Sequence, residues 1–573
     1  MKRWWGRAGN TWGATFGLLS LNNSAPSRRS NAIVMTKTFS PRAGLAVSIS
    51  LSLCACSGDG AGSTTGVRTP KEFSISPPLA ATTAGSSTTF RLTDGAGHAV
   101  SGARWRVNGI SGGSPGLGVI SSAGVYTAPA GIPDGDSVVV TGEVQGDSSV
   151  RSASAVFFLP NKTSTEYYVP LLRVVDVAEP APTRFLVVPP ANATSVVFLP
   201  KSGSPIPLQP IGAGALTFTL DAGAATSGYV PGTLHNFVGR LDYRASSGAS
   251  LGVSNVNVNV RDAGMPDVPV TRMAADAQRS PHVLNVRTDT SFGFAYVMGV
   301  SRLRQLLGDQ FDFIAVIHLV TTRANRGYNG VRNDVHGIGA PIFDISSQWS
   351  VEPGRLQGVI EFPIDWFFDG AAPATVHEIG HRWINYSRDS VLGAGGAHWP
   401  LSTMGLGVMG ISIPGSGAGG QFPWSLTPLG DGTVRVNRAT PSDRYTPLDL
   451  YLMGLIPADS VPAVQVLPPT TSFSALTDGM ILPATTFTIA DYIAANGERA
   501  PSRANAQRDF TMACLVLTYG RLMTESEMAF FDAACVRGET RTVLTTVDGL
   551  ATEQAPGFYL ATGGRATLTT KLP

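Results

Sequence analysis

The first part of the chain has the residue pattern of β-sheet. Between residues 70 and 160, short apolar runs alternate with polar positions and are separated by turns rich in Gly, Pro and Asp, which predicts the strands of a β-sandwich. The pattern continues after residue 160, where Val256, Val258 and Val260 alternate with asparagine, as expected of a strand with one buried face. This stretch predicts either a second sandwich or the opening sheet of the next domain.

The pattern changes near residue 271. Phe294–Gly308 has apolar residues at helical spacing, and Phe311–Val320 is an apolar run typical of a strand covered on both faces. Leu356–Phe362 supplies a further strand and Thr375–Arg388 a helix. Strands and helices in this order predict an α+β domain that differs from the sandwiches before it.

Composition changes this picture little but excludes two classes of protein. The 573 residues include 43% hydrophobic and only 14% charged residues, so a large apolar core is available. Lys and Arg together number 42 against 40 Asp and Glu, and the net charge is +2. Because nucleic-acid binding usually requires a strongly basic face, no nucleic-acid partner is expected, and a multi-span membrane protein is equally disfavoured.

The N-terminal region predicts an export signal. Gly44–Leu53 is a short apolar run preceded by Lys37 and Arg42, which is typical of a signal peptide. The segment ending at Cys56 resembles a bacterial lipobox, with Leu53 three positions before the cysteine. That resemblance implies lipidation of Cys56, a membrane partner through this lipid anchor, and an exported lipoprotein of the bacterial outer membrane or cell surface, with a periplasmic or secreted location as the alternative.

The predicted organisation is therefore multidomain. Met35 is an alternative start within the leader. In chain order the predicted segments are a leader at 1–56, a flexible tether at 57–69, a β-sandwich at 70–160, a second β-rich domain at 161–270, an α+β domain at 271–545 and a C-terminal β-rich tail at 546–573.

Two cysteines near the C-terminus are candidates for a disulfide. Cys514 and Cys535 both lie in helix-like sequence, and an oxidising destination permits a bond between them. Closing a loop of about 20 residues would contribute roughly 3 kcal/mol in the chain-entropy model. The alternative is a pair of buried free thiols.

The clearest candidate chemistry lies in the predicted helix after residue 374. His377 and His381 are four residues apart, so they project from one helix face and suit two ligands of a single metal ion. Glu378, one residue after the first histidine, is placed to act on a water beside such an ion. The three residues form an HExxH motif, which indicates a metal-dependent hydrolase.

At these residues the chain resembles the zincin metallopeptidases. The resemblance implies that His377 and His381 bind one catalytic Zn²⁺ and that Glu378 is the catalytic general base. It also implies that an edge strand near Leu356–Phe362 pairs with an extended peptide substrate.

A catalytic zinc site needs a third protein ligand. No glutamate occurs between Glu378 and Glu498, and the positions that metzincins use are Ile384 and Ser387 here, so neither of these zincin branches matches. The candidates that remain are His398, in a glycine-rich loop, and, as carboxylate alternatives, Asp389 and Asp449. A Met-containing turn, Gly405–Gly410, follows and is similar to the turn that lies beneath zinc in metzincins.

The N-terminal sandwich has a resemblance of its own. Trp105 and the segment Gly118–Pro129 resemble bacterial immunoglobulin-like domains of surface proteins, which implies a spacer or adhesive module with Trp105 in the core.

Together these features predict immunoglobulin-like sandwiches followed by an α+β zincin-like catalytic domain. The expected function is an exported zinc-dependent endopeptidase acting on protein or peptide substrates. The alternative is a non-catalytic surface adhesin or binding lipoprotein with a degenerate zincin fold.

Overall fold

The computed structural model describes residues 73–133, 137–159, 174–178, 180, 182–231, 234–288, 292–318, 326–363, 374–414, 419–541 and 557–573. The predicted leader at 1–56, the lipidation site Cys56 and the tether at 57–69 lie outside these residues.

The first domain is a β-sandwich. One sheet has the strand order β2-β11-β10-β5-β6, a second has the order β3-β9-β8-β7, and β1 pairs with β4. The strands are β1 (Phe73–Ser76), β2 (Leu79–Thr82), β3 (Ser87–Thr89), β4 (Arg91–Asp94), β5 (Arg104–Val107), β6 (Ile110–Ser111), β7 (Gly113–Ser114), β8 (Gly118–Ile120), β9 (Val125–Thr127), β10 (Ser137–Val144) and β11 (Asp147–Phe158).

Trp105 is buried in the core of this sandwich, as predicted, together with Phe90 and Tyr126. Gly124 makes room for it: a Cβ at this position would lie 2.9 Å from the Trp105 ring and 2.3 Å from the Phe90 carbonyl oxygen. The backbone φ of +80° at Gly124 also favours glycine.

The second β-rich segment has sheets and a core of its own. The strand orders are β12-β19-β18-β14-β15 and β13-β17-β16. Phe218 stacks on Phe185 and Phe198 in the centre, with ring centroids 4.7 and 4.5 Å apart. The elements are β12 (Val174–Asp176), β13 (Thr183–Val187), β14 (Ser195–Pro200), β15 (Ile206–Pro207), β16 (Gln209–Gly212), β17 (Ala215–Leu220), α1 (Ala222–Thr226), β18 (His235–Arg244) and β19 (Ser250–Arg261).

The third domain is built on a mixed eight-stranded sheet with the order β20-β21-β22-β35-β23-β27-β24, in which β36 also pairs with β35. The four central strands β22, β35, β23 and β27 are parallel. The strands are β20 (Thr271–Ala274), β21 (Ala277–Arg279), β22 (Val283–Thr288), β23 (Phe313–His318), β24 (Gly327–Gly330), β25 (Arg332–Asn333), β26 (Phe343–Asp344), β27 (Gly358–Pro363), β28 (Ile411–Ser412), β29 (Gly419–Gly420), β30 (Trp424–Pro428), β31 (Thr433–Arg438), β32 (Val464–Val466), β33 (Ile481–Pro483), β34 (Thr485–Phe487), β35 (Asp509–Tyr519) and β36 (Thr567–Thr569).

Helices and short 3-10 turns cover this sheet. The α-helices are α2 (Phe292–Leu307), α3 (Ala374–Gly380), α4 (Pro447–Leu452), α5 (Ile489–Asn496), α6 (Glu525–Val536) and α7 (Phe558–Ala561). The 3-10 helices are Ser346–Trp349, Gly393–Gly395, Thr403–Leu406, Ala458–Ser460, Phe473–Ala475 and Arg537–Glu539.

The burial of strand β23 shows that the sheet is covered on both faces. All six of its residues are buried, and they alternate between two cores. Phe313, Ala315 and Ile317 belong to the core that contains α3, whereas Ile314 and Val316 pack in the core that contains α2. The continuous apolar run in the sequence therefore corresponds to a central strand, as predicted.

The predicted edge strand is not at the edge. Leu356–Phe362 overlaps β27, which is hydrogen-bonded to β23 on one side and to β24 on the other. β24 is antiparallel to β27 and ends the sheet. Its sequence, Gly-Tyr-Asn-Gly, has no apolar run, so the apolar pattern identified the covered strand instead.

The predicted helix Thr375–Arg388 is much shorter than expected. α3 ends at Gly380, where the backbone tightens into i→i−3 hydrogen bonds, the first from His381 N to Glu378 O at 3.2 Å. Asn385 has a φ of +77°, which no α-helix accommodates.

The predicted separate tail at 546–573 is part of the third domain, which is an α/β domain. Its described residues begin at Gly557, and β36 extends the main sheet by pairing in parallel with β35. Phe558 and Leu568 are buried in the same core as α3. Burial of these apolar side chains fixes the segment to the domain.

The predicted disulfide is absent, because Cys514 and Cys535 are free thiols. Cys514 lies on β35 and Cys535 on α6, not both on helices, and both are buried. Burial, together with the neighbouring Cys514 thiol, raises the pKa of Cys535 well above its ordinary value. The Cys535 thiol is therefore expected to be protonated and unreactive in the folded protein.

No helix of the described ranges has the length and apolarity needed to cross a membrane.

Alkylation should distinguish the free thiols from a disulfide. In denaturant without reductant, iodoacetamide is expected to modify both Cys514 and Cys535, whereas burial should protect both from the reagent in the native protein. Peptide mass mapping provides the measurement. Recovery of a peptide pair joined through these two cysteines would contradict the structure.

Candidate metal centre

Helix α3 and the tight turn that follows it place the imidazoles of His377 and His381 one turn apart against the main sheet. Its apolar residues Val376 and Ile379, with Trp383 just beyond the helix, are buried in the core as the sequence predicted. Tyr445 belongs to the same core, and its hydroxyl donates a hydrogen bond to the carbonyl oxygen of Val376, which fixes the helix in place. Seven residues are too few for an isolated helix, so these contacts determine where the histidines lie.

Three histidine nitrogens converge on one point. Nε2 of His377 lies 3.2 Å from Nε2 of His381 and 3.2 Å from Nε2 of His398. One ligand atom from each of the three residues lies within 4.8 Å of the others. Nitrogens at about 2.0 Å from a tetrahedral zinc ion would be about 3.3 Å apart, so this arrangement fits a zinc-sized cation.

Hydrogen bonding and burial favour the protonation state that metal binding requires. Nδ1 of His377 is 2.8 Å from the carbonyl oxygen of Val408, and since a carbonyl only accepts, Nδ1 carries the proton and Nε2 presents a lone pair. Burial lowers the pKa of His377 to about 3, and it also lowers the pKa values of His381 and His398. Neutral imidazoles are the form that ligates a cation.

Glu378 is buried beside this cluster and is held by an arginine. Nε of Arg326 donates a hydrogen bond of 2.9 Å to Oε1 of Glu378, and the Arg326 side chain is only 14% exposed. Burial raises the pKa of Glu378 to about 7, and the positive charge of Arg326 opposes that rise. The arginine therefore orients one carboxylate oxygen and favours the ionised form.

The predicted methionine turn, Gly405–Gly410, packs against helix α3. Met409 is fully buried, and a Cβ added to Gly380 would lie 2.4 Å from its sulfur atom. At position 380, between the two histidines, only glycine leaves room for the Met409 sulfur to approach the helix backbone. Met409 thus supports the helix at the turn that carries His377 and His381.

The ring of His398 is packed against a glycine strand. A Cβ at Gly419, in β29, would lie 2.7 Å from Cε1 of His398. β29 pairs with β28, so the ring lies against the backbone of a short hairpin. This close approach fixes the ring of His398 from one face.

Neither carboxylate alternative for the third ligand joins the cluster. Asp449 accepts a hydrogen bond of 2.9 Å from Nε1 of Trp399 and two of 2.8 Å from the backbone and hydroxyl of Thr446. Asp389 accepts from the backbone N–H groups of Val391 and Leu392. Among the described residues, the cluster that could hold a metal consists of His377, His381 and His398.

A cavity of about 460 Å³ adjoins the loop that carries His398. Ala397 and Pro400, on either side of the histidine, line it together with Leu401, Ile413 and Val466. Among the described residues, no charged side chain lines this cavity. It therefore suits an uncharged group.

Sequence reasoning missed Arg326, Val408 and Gly419. Arg326 lies about 50 positions before Glu378, and no spacing rule connects the two residues. Val408 contributes only a backbone carbonyl, and Gly419 contributes only the space left by its missing side chain. Each depends on tertiary contacts that no local motif indicates.

No protein-family model and no curated protein matches the chain. Solved structures with detectable similarity include the FdeC adhesin of Escherichia coli, at 16% identity and a TM-score of 0.11, over 34% of this chain and 64% of that one. The teleost fish polymeric Ig receptor ectodomain has 14% identity and a TM-score of 0.13, over 33% of this chain and 98% of that one. The tandem Ig repeats of Dlar have 14% identity and a TM-score of 0.13, over 34% and 99%. Overlaps at such TM-scores assign no function to this chain.

Gly419→Ala is expected to weaken Zn²⁺ binding roughly 10-fold or more, because the new methyl group would displace the ring of His398. Gly420→Ala is the matched control, since its methyl group would meet only the tip of the Ile413 side chain, at 3.0 Å. Titration calorimetry with Zn²⁺ measures both variants. Equal affinities for the two variants would contradict the placement of His398 in the cluster.

Proposed function

We propose that this chain is an exported zinc-dependent endopeptidase of the zincin type. The observation that carries the proposal is the convergence of three histidine Nε2 atoms beside the buried carboxylate of Glu378. His377, His381 and His398 would hold the ion, and a zinc ion so held supplies Lewis-acid chemistry and lowers the pKa of water. The donor set fits zinc, since three imidazoles leave a fourth position for water or substrate.

Glu378 provides the proton transfer in this proposal. It is the general base that takes a proton from the attacking water and passes it to the leaving amine. Arg326 holds Oε1 of the carboxylate, and Oε2 would then face the water. Burial excludes bulk solvent from the carboxylate and strengthens the contact with Arg326.

The proposed substrate is a protein or peptide in extended conformation. Strand β24 ends the main sheet and begins directly after Arg326, so a peptide paired with this edge would pass close to Glu378. The cavity beside Ala397 and Pro400 would accept an uncharged side chain.

A lipid anchor at Cys56 would place the enzyme on the bacterial outer membrane or cell surface. The two sandwiches would then separate the α/β domain from the membrane. In the alternative, a surface adhesin, the same sandwiches would be the functional part and the histidine cluster would have no catalytic role.

Glu378→Gln is expected to retain one zinc ion per chain and to lose about 2–4 orders of magnitude in peptide hydrolysis, because it removes only the proton acceptor. His381→Ala should lose the metal as well. Elemental analysis and a casein digestion assay with and without a chelator measure both properties. The exposed Glu352→Gln is the control.

An adhesin would show no chelator-sensitive cleavage, and wild-type activity in Glu378→Gln would rule out Glu378 as the general base.

Arg326→Gln tests the orientation of the base. The variant should keep its zinc and its KM but lose roughly 10- to 100-fold in kcat, since a misplaced catalytic group costs rate without reducing substrate binding. Arg326→Lys, which keeps the charge, should recover part of the loss. A change in KM alone would instead assign Arg326 to substrate binding.

A further inference from the structure

The carboxylate of Asp449 is fully buried and has three donors. One oxygen accepts from the backbone and hydroxyl of Thr446, and the other accepts from Nε1 of Trp399. The Thr446 contacts form a capping box at the start of α4. Removing a carboxylate from water is unfavourable unless its hydrogen bonds are satisfied, so this buried site needs all three donors.

Helix capping does not explain the burial. Helix α5 has the same capping box, with Thr488 and Asp491, and there the aspartate is exposed and accepts only from Thr488 among its side-chain hydrogen bonds. The cap functions in both helices, but only Asp449 has a tryptophan donor. The contact with Trp399 is therefore the feature that distinguishes it.

Trp399 is fixed at both its side chain and its backbone. Its ring is 1% exposed, and its carbonyl oxygen accepts a hydrogen bond of 2.9 Å from the backbone N–H of Ser412. A parallel bridge to Ile411 holds the same position. Since His398 directly precedes Trp399, these contacts also fix the position of the His398 backbone.

Apart from the contact between its Nε2 and Nε2 of His377, the ring of His398 has no polar partner among the described residues. Within the described part of the chain its Nδ1 is buried and makes no hydrogen bond, whereas Nδ1 of His377 is bonded to Val408 O. The direction of His398 must then come from ring packing and from the adjoining backbone. Gly419 provides the packing, and Trp399 provides the backbone anchor.

We propose that the buried Trp399–Asp449 hydrogen bond positions His398 for metal binding, so that Asp449 and Trp399 are positioning residues of the zinc site. The inference rests on the proposed function, since it concerns the third ligand of the same ion. It assigns to Asp449 a role one step removed from the metal: the carboxylate holds the tryptophan, and the tryptophan fixes the loop.

Trp399→Phe tests this proposal in the full-length protein. The variant keeps an aromatic ring in the core but removes the N–H donor. Thr446→Val is the matched control, because it also removes one donor to Asp449 but leaves the Trp399 contact intact. Zn²⁺ affinity by competition with a chromophoric chelator, the visible spectrum of the Co²⁺-substituted protein, and the thermal midpoint are measured for each.

The expected result is a roughly 10- to 100-fold loss of Zn²⁺ affinity and an altered Co²⁺ spectrum in Trp399→Phe, with both properties unchanged in Thr446→Val. Similar thermal midpoints in the two variants would separate this effect from general destabilisation. If both variants bound Zn²⁺ alike, the contact would be purely structural and the inference would be overturned. If the wild-type protein itself bound no Zn²⁺, the proposed function would fail as well, so the two failures are distinguishable.

Discussion

The α/β domain depends on bringing three neutral imidazoles together where water is largely excluded. Nε2 of His377 lies 3.2 Å from each of two other Nε2 atoms, and lone pairs at this separation repel each other. A neutral tautomer of His381 or His398 with its proton on Nε2 can donate into only one of the two contacts, because Nε2 of His377 has a single lone pair. A shared cation would relieve both contacts at once. Metal binding would therefore be coupled to the stability of this region.

The rest of the domain provides rigidity for this arrangement. Helix α3 has only seven residues, so its position comes from the packing of Tyr445 and Met409 against it rather than from its own hydrogen bonds. The parallel strands β23 and β27 supply a platform that is buried on both faces. His398 is not on this platform but on an irregular loop, and loops are the mobile parts of most folds. A third ligand on a loop needs anchors of its own, which is why the contacts of Gly419 and Trp399 matter.

The sequence predicted the local parts of the site well and the non-local parts poorly. His377, Glu378 and His381 follow from helical spacing alone, and the burial of Val376, Ile379 and Trp383 follows from the same periodicity. His398 was identified by exclusion, because few other ligands lie downstream.

Other features had no local signal. A carboxylate such as Asp449 can be a metal ligand or a hydrogen-bond acceptor, and only its neighbours distinguish the two. The edge position of β24 was missed because a short Gly-Tyr-Asn-Gly strand lacks an apolar pattern, and the early end of α3 was missed because its tightening depends on packing around Gly380. The placement of Cys514 on a strand and Cys535 on a helix was missed because the residues next to each cysteine are apolar in both segments.

The sandwiches are also more than a flexible spacer. The hydroxyl of Tyr519, at the end of β35, donates to the carbonyl oxygen of Leu159, and its ring belongs to the core of the first sandwich. Ser526, in α6, donates to Asp176 of the second sandwich. β35 is also the central strand of the main sheet, so one strand contributes Cys514 and Val516 to the core around α3 and Tyr519 to the core of the first sandwich. These contacts hold both sandwiches against the domain that carries the candidate site, which a freely jointed tether would not do.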